Sequence, residues 1–250
     1  MVIERRFFRI FVSIVFAGMA FSSAASMDPE KSARDHIGKA DSIAPPDRQD
    51  VFSKGLMELK SAEARIQRSP DSLNPHLDKL RILFVLGVKE KDFLNRGEAE
   101  IRLLKKMLDK DEKAQNLLLG YSGAIRVVQA KHGLNLNRKW KNLEAGIPML
   151  DSAVARDSAQ TELRYLRLVS NYYLPFFLGR KPVVRADFSA LAKFLPQAAD
   201  QYPPKWFLNV AGFVLEKGSL TEVEAARLKH KMQAVTAANQ IQGVAAKEKG

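Results

Sequence analysis

The stretch from Leu117 to Gly179 constrains the fold most, because its apolar residues return at the period of a helix and do not alternate as in a strand. In three successive runs, apolar side chains recur at steps of mostly three and four residues. The first run ends at His132 and Gly133, and the third must end at or before Pro175, because proline removes one helix hydrogen bond. Short loops join the runs, so we expect the helices to pack antiparallel.

The same helical period continues outside this stretch. Residues 179–182 are predicted to form a loop, and Ser219 with Glu222 fits a capping box at the start of the last helix. No Val/Ile/Thr-rich alternating run is bounded by turn residues, so the sequence predicts an all-α protein of about nine helices arranged as antiparallel pairs. The predicted helices cover about 48–68, 74–88, 91–109, 117–132, 140–156, 188–195, 204–218 and 220–241, together with a helix that starts between residues 158 and 161 and ends before Pro175.

The second and third of the central runs resemble the junction between two tetratricopeptide repeats. Gly146, Leu150 and Ala153 stand at the small, large and small positions of that family's second repeat helix. Weaker matches to the family's pattern lie at Leu119 and Gly120 and at residues 69–72. The matches are spaced by about forty to fifty residues, whereas the repeats of the family are 34 residues long. The resemblance covers about the middle half of the chain. It implies a short right-handed array of stacked helix pairs, an α-α superhelix.

The resemblance also implies a partner-binding groove, because the first helices of tetratricopeptide repeats line a concave surface that holds a peptide. Tyrosines suit such a surface, since they combine a large apolar area with a polar tip. Carried over to this sequence, the partner-binding residues are Tyr121, Ile125, Glu162, Arg164, Tyr165, Val169, Tyr172 and Tyr173.

Two alternatives to this groove stay open at the level of sequence. Tyr172 and Tyr173, with the phenylalanines that follow them, either line the groove or belong to the core. Arg164 and Arg167 either clamp an acidic segment of a partner or pair internally with acidic residues such as Glu144 and Asp151.

The first 26 residues have the composition of a signal peptide. Arg5, Arg6 and Arg9 precede the apolar run Ile10 to Phe21, and small residues follow at 22–26. The apolar run is shorter than the ~18 to 20 residues that a membrane-spanning helix needs. We expect export through a cleavable signal peptide to the periplasm or the medium, with an uncleaved N-terminal anchor as the alternative.

After this segment, the chain is predicted to have four parts. A flexible mature tail covers residues 27–46, and the repeat-like array covers residues 47–179. Residues 180–243 continue or cap the array, and residues 244–250 form a frayed tail.

The net charge of +12 predicts attraction to anions. The most concentrated basic group is a predicted loop at residues 131–141, where cations lie beside an indole that can stack while they pair. The alternative is that the indole is buried as the first anchor of a helix and the charges are solvated. The candidate anion-binding residues are Lys131, His132, Arg138, Lys139, Trp140 and Lys141.

No sequence motif for catalysis or cofactor binding is present. The chain has no cysteine, and its four histidines have no metal-ligand spacing. There is no nucleophile elbow and no glycine-rich phosphate loop. The sequence therefore predicts no catalytic residue, no metal site and no cofactor.

Together these features predict an exported noncatalytic scaffold that binds a protein or peptide in the cell envelope. The alternative is a basic envelope protein that binds an anionic small molecule, an acidic polymer or an anionic lipid surface, with or without a hydrolase activity. Nucleic acid is not expected as a partner, because no binding motif is present and export argues against it. The sequence makes no prediction about the oligomeric state.

Overall fold

The computed structural model describes the backbone of residues 48–247 and the side chains of residues 52–241. The predicted signal peptide and mature tail, residues 1–46, lie outside the described residues. The described part is all-α, as predicted, and contains nine α-helices and two short 3-10 helices. The α-helices are α1 (Arg48–Arg68), α2 (Leu73–Gly87), α3 (Lys91–Met107), α4 (Glu112–His132), α5 (Leu136–Arg156), α6 (Thr161–Tyr172), α7 (Lys181–Phe194), α8 (Pro204–Lys217) and α9 (Glu222–Lys247); the 3-10 helices are Phe176–Leu178 and Ala199–Gln201.

Three helices begin earlier than the apolar pattern predicts. Helix α4 begins at Glu112 and α5 at Leu136, because polar first turns continue the helix beyond its apolar stripe. Helix α7 begins at Lys181, so the prediction of a loop over residues 179–182 is wrong in its second half. Pro182 lies in the first turn of α7, where the missing N–H breaks no helix hydrogen bond.

The capping box of the last helix lies two residues later than predicted. The carboxylate of Glu224 accepts a hydrogen bond from the backbone N–H of Thr221 at 2.9 Å, and Thr221 Oγ1 accepts one from Glu224 N at 3.3 Å. Ser219 with Glu222 has the same spacing, so the motif alone does not choose between the two. The hydrogen bonds from Thr221 also lower the pKa of Glu224.

The described helices form two compact units. The first contains residues 48–100 and 129–140, and the second contains residues 101–128 and 141–247. In the first unit α1 packs against α2; in the second α6 packs against α7, α7 against α8, and α9 against both α7 and α8. This pairing of neighbours in sequence is consistent with a helical repeat array.

A buried histidine–glutamate pair joins α2 to α3 inside the first unit. His76 and Glu100 are only 3% and 4% exposed, and His76 Nδ1 lies 2.5 Å from a carboxylate oxygen of Glu100. The other ring nitrogen donates to the carbonyl of Pro70 at 2.8 Å, and Lys79 Nζ lies 2.7 Å from the second carboxylate oxygen. Since a carbonyl only accepts, Nε2 carries a proton. Every polar atom of this pair therefore has a partner.

Two glycines allow a close crossing of α4 and α5 in the second unit. A Cβ atom built on Gly123 would lie 2.8 Å from the carbonyl oxygen of Gly146, and one on Gly146 would lie 2.7 Å from the carbonyl oxygen of Gly123. Such distances are too short for a methyl group. The backbones approach this closely only because neither residue has a side chain. Leu150 of α5 packs into the same crossing, with its Cγ 3.0 Å from the Cβ position of Gly123.

We expect Gly123→Ala and Gly146→Ala to lower the free energy of unfolding by about 1 to 3 kcal/mol each, because the added methyl group forces the helices apart. Gly212→Ala is the matched control. Gly212 lies inside α8 with nothing within 4 Å of its Cβ position, so alanine there should stabilise the helix by about 0.5 to 1 kcal/mol. Urea unfolding followed by circular dichroism measures all three; equal midpoints for Gly146→Ala and Gly212→Ala would contradict the close crossing.

Candidate interaction surface

A fully buried carboxylate, that of Asp187 in α7, binds two arginines of α6. Arg167 donates to it twice, from Nε at 2.8 Å and from Nη2 at 2.7 Å, and Arg164 donates from Nη1 at 3.0 Å. Asp187 is 0% exposed. Burial by itself lowers the pKa of Arg167, but its hydrogen bonds to Asp187 and the negative charges of Asp187 and Asp151 raise that pKa overall. The three side chains therefore form a buried ion-pair cluster that holds α6 against α7.

A second carboxylate extends this cluster to the start of α7. Asp151 of α5 accepts from Arg167 Nη1 at 3.3 Å and from Arg180 Nη2 at 2.6 Å. Arg180 also donates from Nε to the side-chain oxygen of Asn171 at 2.9 Å. Arg180 directly precedes α7, so these bonds hold the start of that helix against α5 and α6.

This cluster answers one question that the sequence leaves open. Arg164 and Arg167 pair internally, and Asp151 is one of the partners that the sequence suggests. The main partner, Asp187, is missed by the sequence analysis. A usable signal exists, because Asp187 lies three residues after Val184 and four before Leu191, on the apolar stripe of α7. A charged residue on a core-facing stripe needs a charged partner.

The predicted partner-binding residues Tyr165 and Tyr172 pack against the core of the second unit. The ring of Tyr165 meets that of Trp206 edge-on at 5.8 Å, and Tyr172 meets Phe213 edge-on at 5.5 Å. Phe213 in turn stacks on Phe188 at 5.9 Å. These contacts favour the alternative in which Tyr172 belongs to the core.

Three further predicted partner-binding residues are buried in the second unit. Tyr121 and Glu162 are each 2% exposed, and the tyrosine hydroxyl donates to the carboxylate at 2.6 Å; Ile125 is 0% exposed. Val169 is half-buried. A partner reaches the buried three only if the helices separate. Their role in binding stays a prediction.

Tyr173 differs from its neighbour because it faces solvent. It is 64% exposed, and Phe176, one turn further on, is 69% exposed. Pro175 is buried and directly precedes the 3-10 helix Phe176–Leu178, and Gly179 follows it with a positive φ of 67°. The backbone N–H of Gly179 donates to the carbonyl of Phe176 at 3.0 Å. Residues 173–179, which we call the aromatic turn, therefore present two aromatic rings on a hydrogen-bonded support.

The solvent-exposed side of α7 is basic and follows the aromatic turn directly. Its cations are Lys181, Arg185 and Lys193, and the acidic residue of this helix, Asp187, is buried. Within the described part of the chain, Lys181 and Arg185 form no ion pair. We call Lys181, Arg185 and Lys193 the basic face. A helical spacing of four residues places the first two one turn apart.

The predicted basic loop at residues 131–141 is wrong as a loop. Only residues 133–135 lie between α4 and α5, and Asn135 Oδ1 caps α5 by accepting from the backbone N–H of Asn137 at 2.9 Å. Lys131 Nζ donates to the carbonyl of Val88 at 3.0 Å, and His132 Nε2 donates to that of Gly87 at 2.9 Å. Those two residues of the predicted anion site therefore satisfy backbone carbonyls at the end of α2.

The other four candidate anion-binding residues lie in the first turns of α5. Arg138 and Lys141 are exposed, and Lys139 and Trp140 are half-buried and make further contacts. Anion binding at these residues stays a prediction.

Comparison of the chain with protein-family models, with curated proteins and with solved structures finds no match. Among the described residues, no group of three or more acidic or imidazole side chains is placed to hold a metal ion. None of the described helices combines the length and apolar character that a bilayer crossing requires. The geometry of the described side chains is therefore the basis for a functional proposal.

We expect Asp187→Ala to lower the free energy of unfolding by about 3 to 5 kcal/mol, because it leaves the guanidinium groups of Arg164 and Arg167 without their buried partner. Asp200→Ala is the control, since Asp200 is 84% exposed and lies 3.3 Å from Lys231, so its loss should change stability by at most about 1 kcal/mol. Urea unfolding of both variants is the measurement. Similar losses of unfolding free energy in the two variants would show that the buried ion pairs of Asp187 add no stability.

Burial raises the pKa of Tyr165 to about 12 from its ordinary value of 10.0, with a smaller contribution from Tyr173. The neutral phenol is thus favoured by folding, and the stability that it contributes is present below pH 10 and lost as the pH rises towards 12. Against Tyr165→Phe, the free energy of unfolding of the natural chain should fall by up to ~1.4 kcal/mol per pH unit in this window. Parallel pH profiles of the two proteins would contradict the burial of this hydroxyl.

Proposed function

We propose that this chain is an exported, noncatalytic helical protein that binds a protein or peptide partner in the cell envelope through the aromatic turn. The observation that carries the proposal is the exposure of Tyr173 and Phe176, 64% and 69%, on a support that is held in place by the surrounding helices. Export belongs to the proposal through the composition of residues 1–26.

Exposed aromatic side chains on a firm support suit partner binding for an energetic reason. Covering the exposed part of each ring, roughly 100 to 150 Å², contributes about 3 kcal/mol per ring before the costs of association. Those costs include the ordering of flexible segments. Pro175, the positive φ of Gly179 and the bonds of Arg180 to Asp151 and Asn171 already order the aromatic turn in the free protein.

The different environments of Tyr172 and Tyr173 support the proposal. Tyr172 contacts Phe188 at 5.9 Å and Phe213 at 5.5 Å inside the second unit, whereas Tyr173 contacts Tyr172 edge-on at 4.9 Å and leaves most of its surface free. Tyr172 thus supports the ring that a partner contacts. Exposed aromatic residues that pack against a fixed neighbouring ring are frequent among the residues that contribute most of the binding energy at protein interfaces.

We expect Tyr173→Ala with Phe176→Ala to weaken partner binding at least about tenfold, since both rings lose their contact area. The full chain is used as bait on envelope extract, and a protein retained by the natural bait is then titrated against both baits. The matched control is Leu134→Ala with Val223→Ala, which removes two other exposed apolar side chains, 102% and 68% exposed.

Circular dichroism and urea unfolding first establish that both double variants are folded. A protein bound by the natural chain and the control, and lost by the variant of the aromatic turn, supports the proposal. Equal binding by all three baits, or no retained protein, refutes it.

A further inference from the structure

We infer that the segment bound at the aromatic turn is an acidic stretch of a protein, which continues along the basic face of α7 and is selected there by Lys181 and Arg185. This inference rests on the proposed function and adds the chemistry of the partner to it.

The two surfaces follow one another along the chain. The aromatic turn ends at Gly179, and Lys181 begins α7 two residues later. At 1.5 Å per residue, the basic face from Lys181 to Lys193 extends over about 18 Å. An extended segment of about six residues, or about three turns of helix, covers that length.

The charge of the basic face is not neutralised by its own helix. The carboxylate of Asp187 is buried and already bound by Arg164 and Arg167, so it does not screen the cations on the opposite side of α7. Within the described residues, Lys181 and Arg185 form no ion pair that a partner would have to break. Carboxylates are the matching groups, because a guanidinium binds a carboxylate through two parallel hydrogen bonds and an ammonium binds it as a point charge.

The occupant is a segment of a protein, because this inference rests on the proposed function, and its acidic character follows from charge complementarity with Lys181 and Arg185. The end of α8 adds no net charge, since Glu216 pairs with Lys217 at 2.6 Å. Vesicle binding is measured beside peptide binding, because an anionic membrane also attracts a basic face.

The test places a photoreactive phenylalanine analogue at position 176 of the full chain in the native host, and at position 134 as the control. Mass spectrometry identifies the cross-linked segment. That segment is synthesised in its natural form and with every Asp and Glu changed to Asn and Gln. Fluorescence anisotropy then measures the binding of both peptides to the purified chain, and vesicles of three parts phosphatidylcholine to one part phosphatidylserine are tested beside them.

We expect an acidic segment that cross-links from position 176 and not from position 134. Its affinity should fall at least about tenfold in the amide form and with Lys181→Gln plus Arg185→Gln, since each removes two charge-assisted pairs. The control Arg227→Gln plus Lys229→Gln removes the same charge from exposed positions of α9 and should change the affinity less than about twofold.

The outcomes separate this inference from the proposed function. A cross-linked protein segment without acidic residues, or equal affinity of the natural chain and the Lys181/Arg185 variant, refutes the acidic partner and leaves the proposed function standing. Cross-linking to lipid with vesicle binding assigns the surface to a membrane and refutes the inference. Absence of any protein cross-link from position 176 refutes both.

Discussion

The buried carboxylate of Asp187 sets the geometry on which the rest of the second unit depends. An ionised carboxylate without a partner is very unfavourable away from water, so α7 can pack against α6 only where Arg164 and Arg167 reach it. The guanidinium of Arg167 binds through two nitrogens, which fixes direction as well as distance. The charge pair therefore selects one alignment of two helices whose apolar stripes alone would tolerate several.

The same cluster connects stability to the surface that we propose for binding. Arg167 joins Asp187 to Asp151, and Asp151 in turn holds Arg180 at the end of the aromatic turn. The ring of Tyr173 meets that of Tyr172, which in turn contacts Phe213 of the aromatic core. Because the charges of the cluster are paired internally, we propose the cations on the outer side of α7, and not Arg164 or Arg167, as the contacts of a partner.

A different constraint acts where α4 crosses α5. The reciprocal contacts of Gly123 and Gly146 bring two backbones closer than any side chain permits. Here the sequence was informative, since Gly146 and Ala153 stand at the small positions of a tetratricopeptide-like pattern. The partner glycine in α4 is not part of that pattern, and the tetratricopeptide-like classification stays a prediction.

The sequence by itself determined the all-α class and the nine α-helices of the described residues, because the apolar period of a helix is a local property of the chain. It placed three helix starts and one capping box wrongly, since a polar first turn has no apolar period and two Thr/Ser–Glu pairs share one spacing. Only the tertiary structure decided which of the adjacent Tyr172 and Tyr173 packs against the core, and that Arg167 finds its partner twenty residues away in Asp187. Burial and ion pairing depend on groups that folding brings together, and no local pattern records which groups those are.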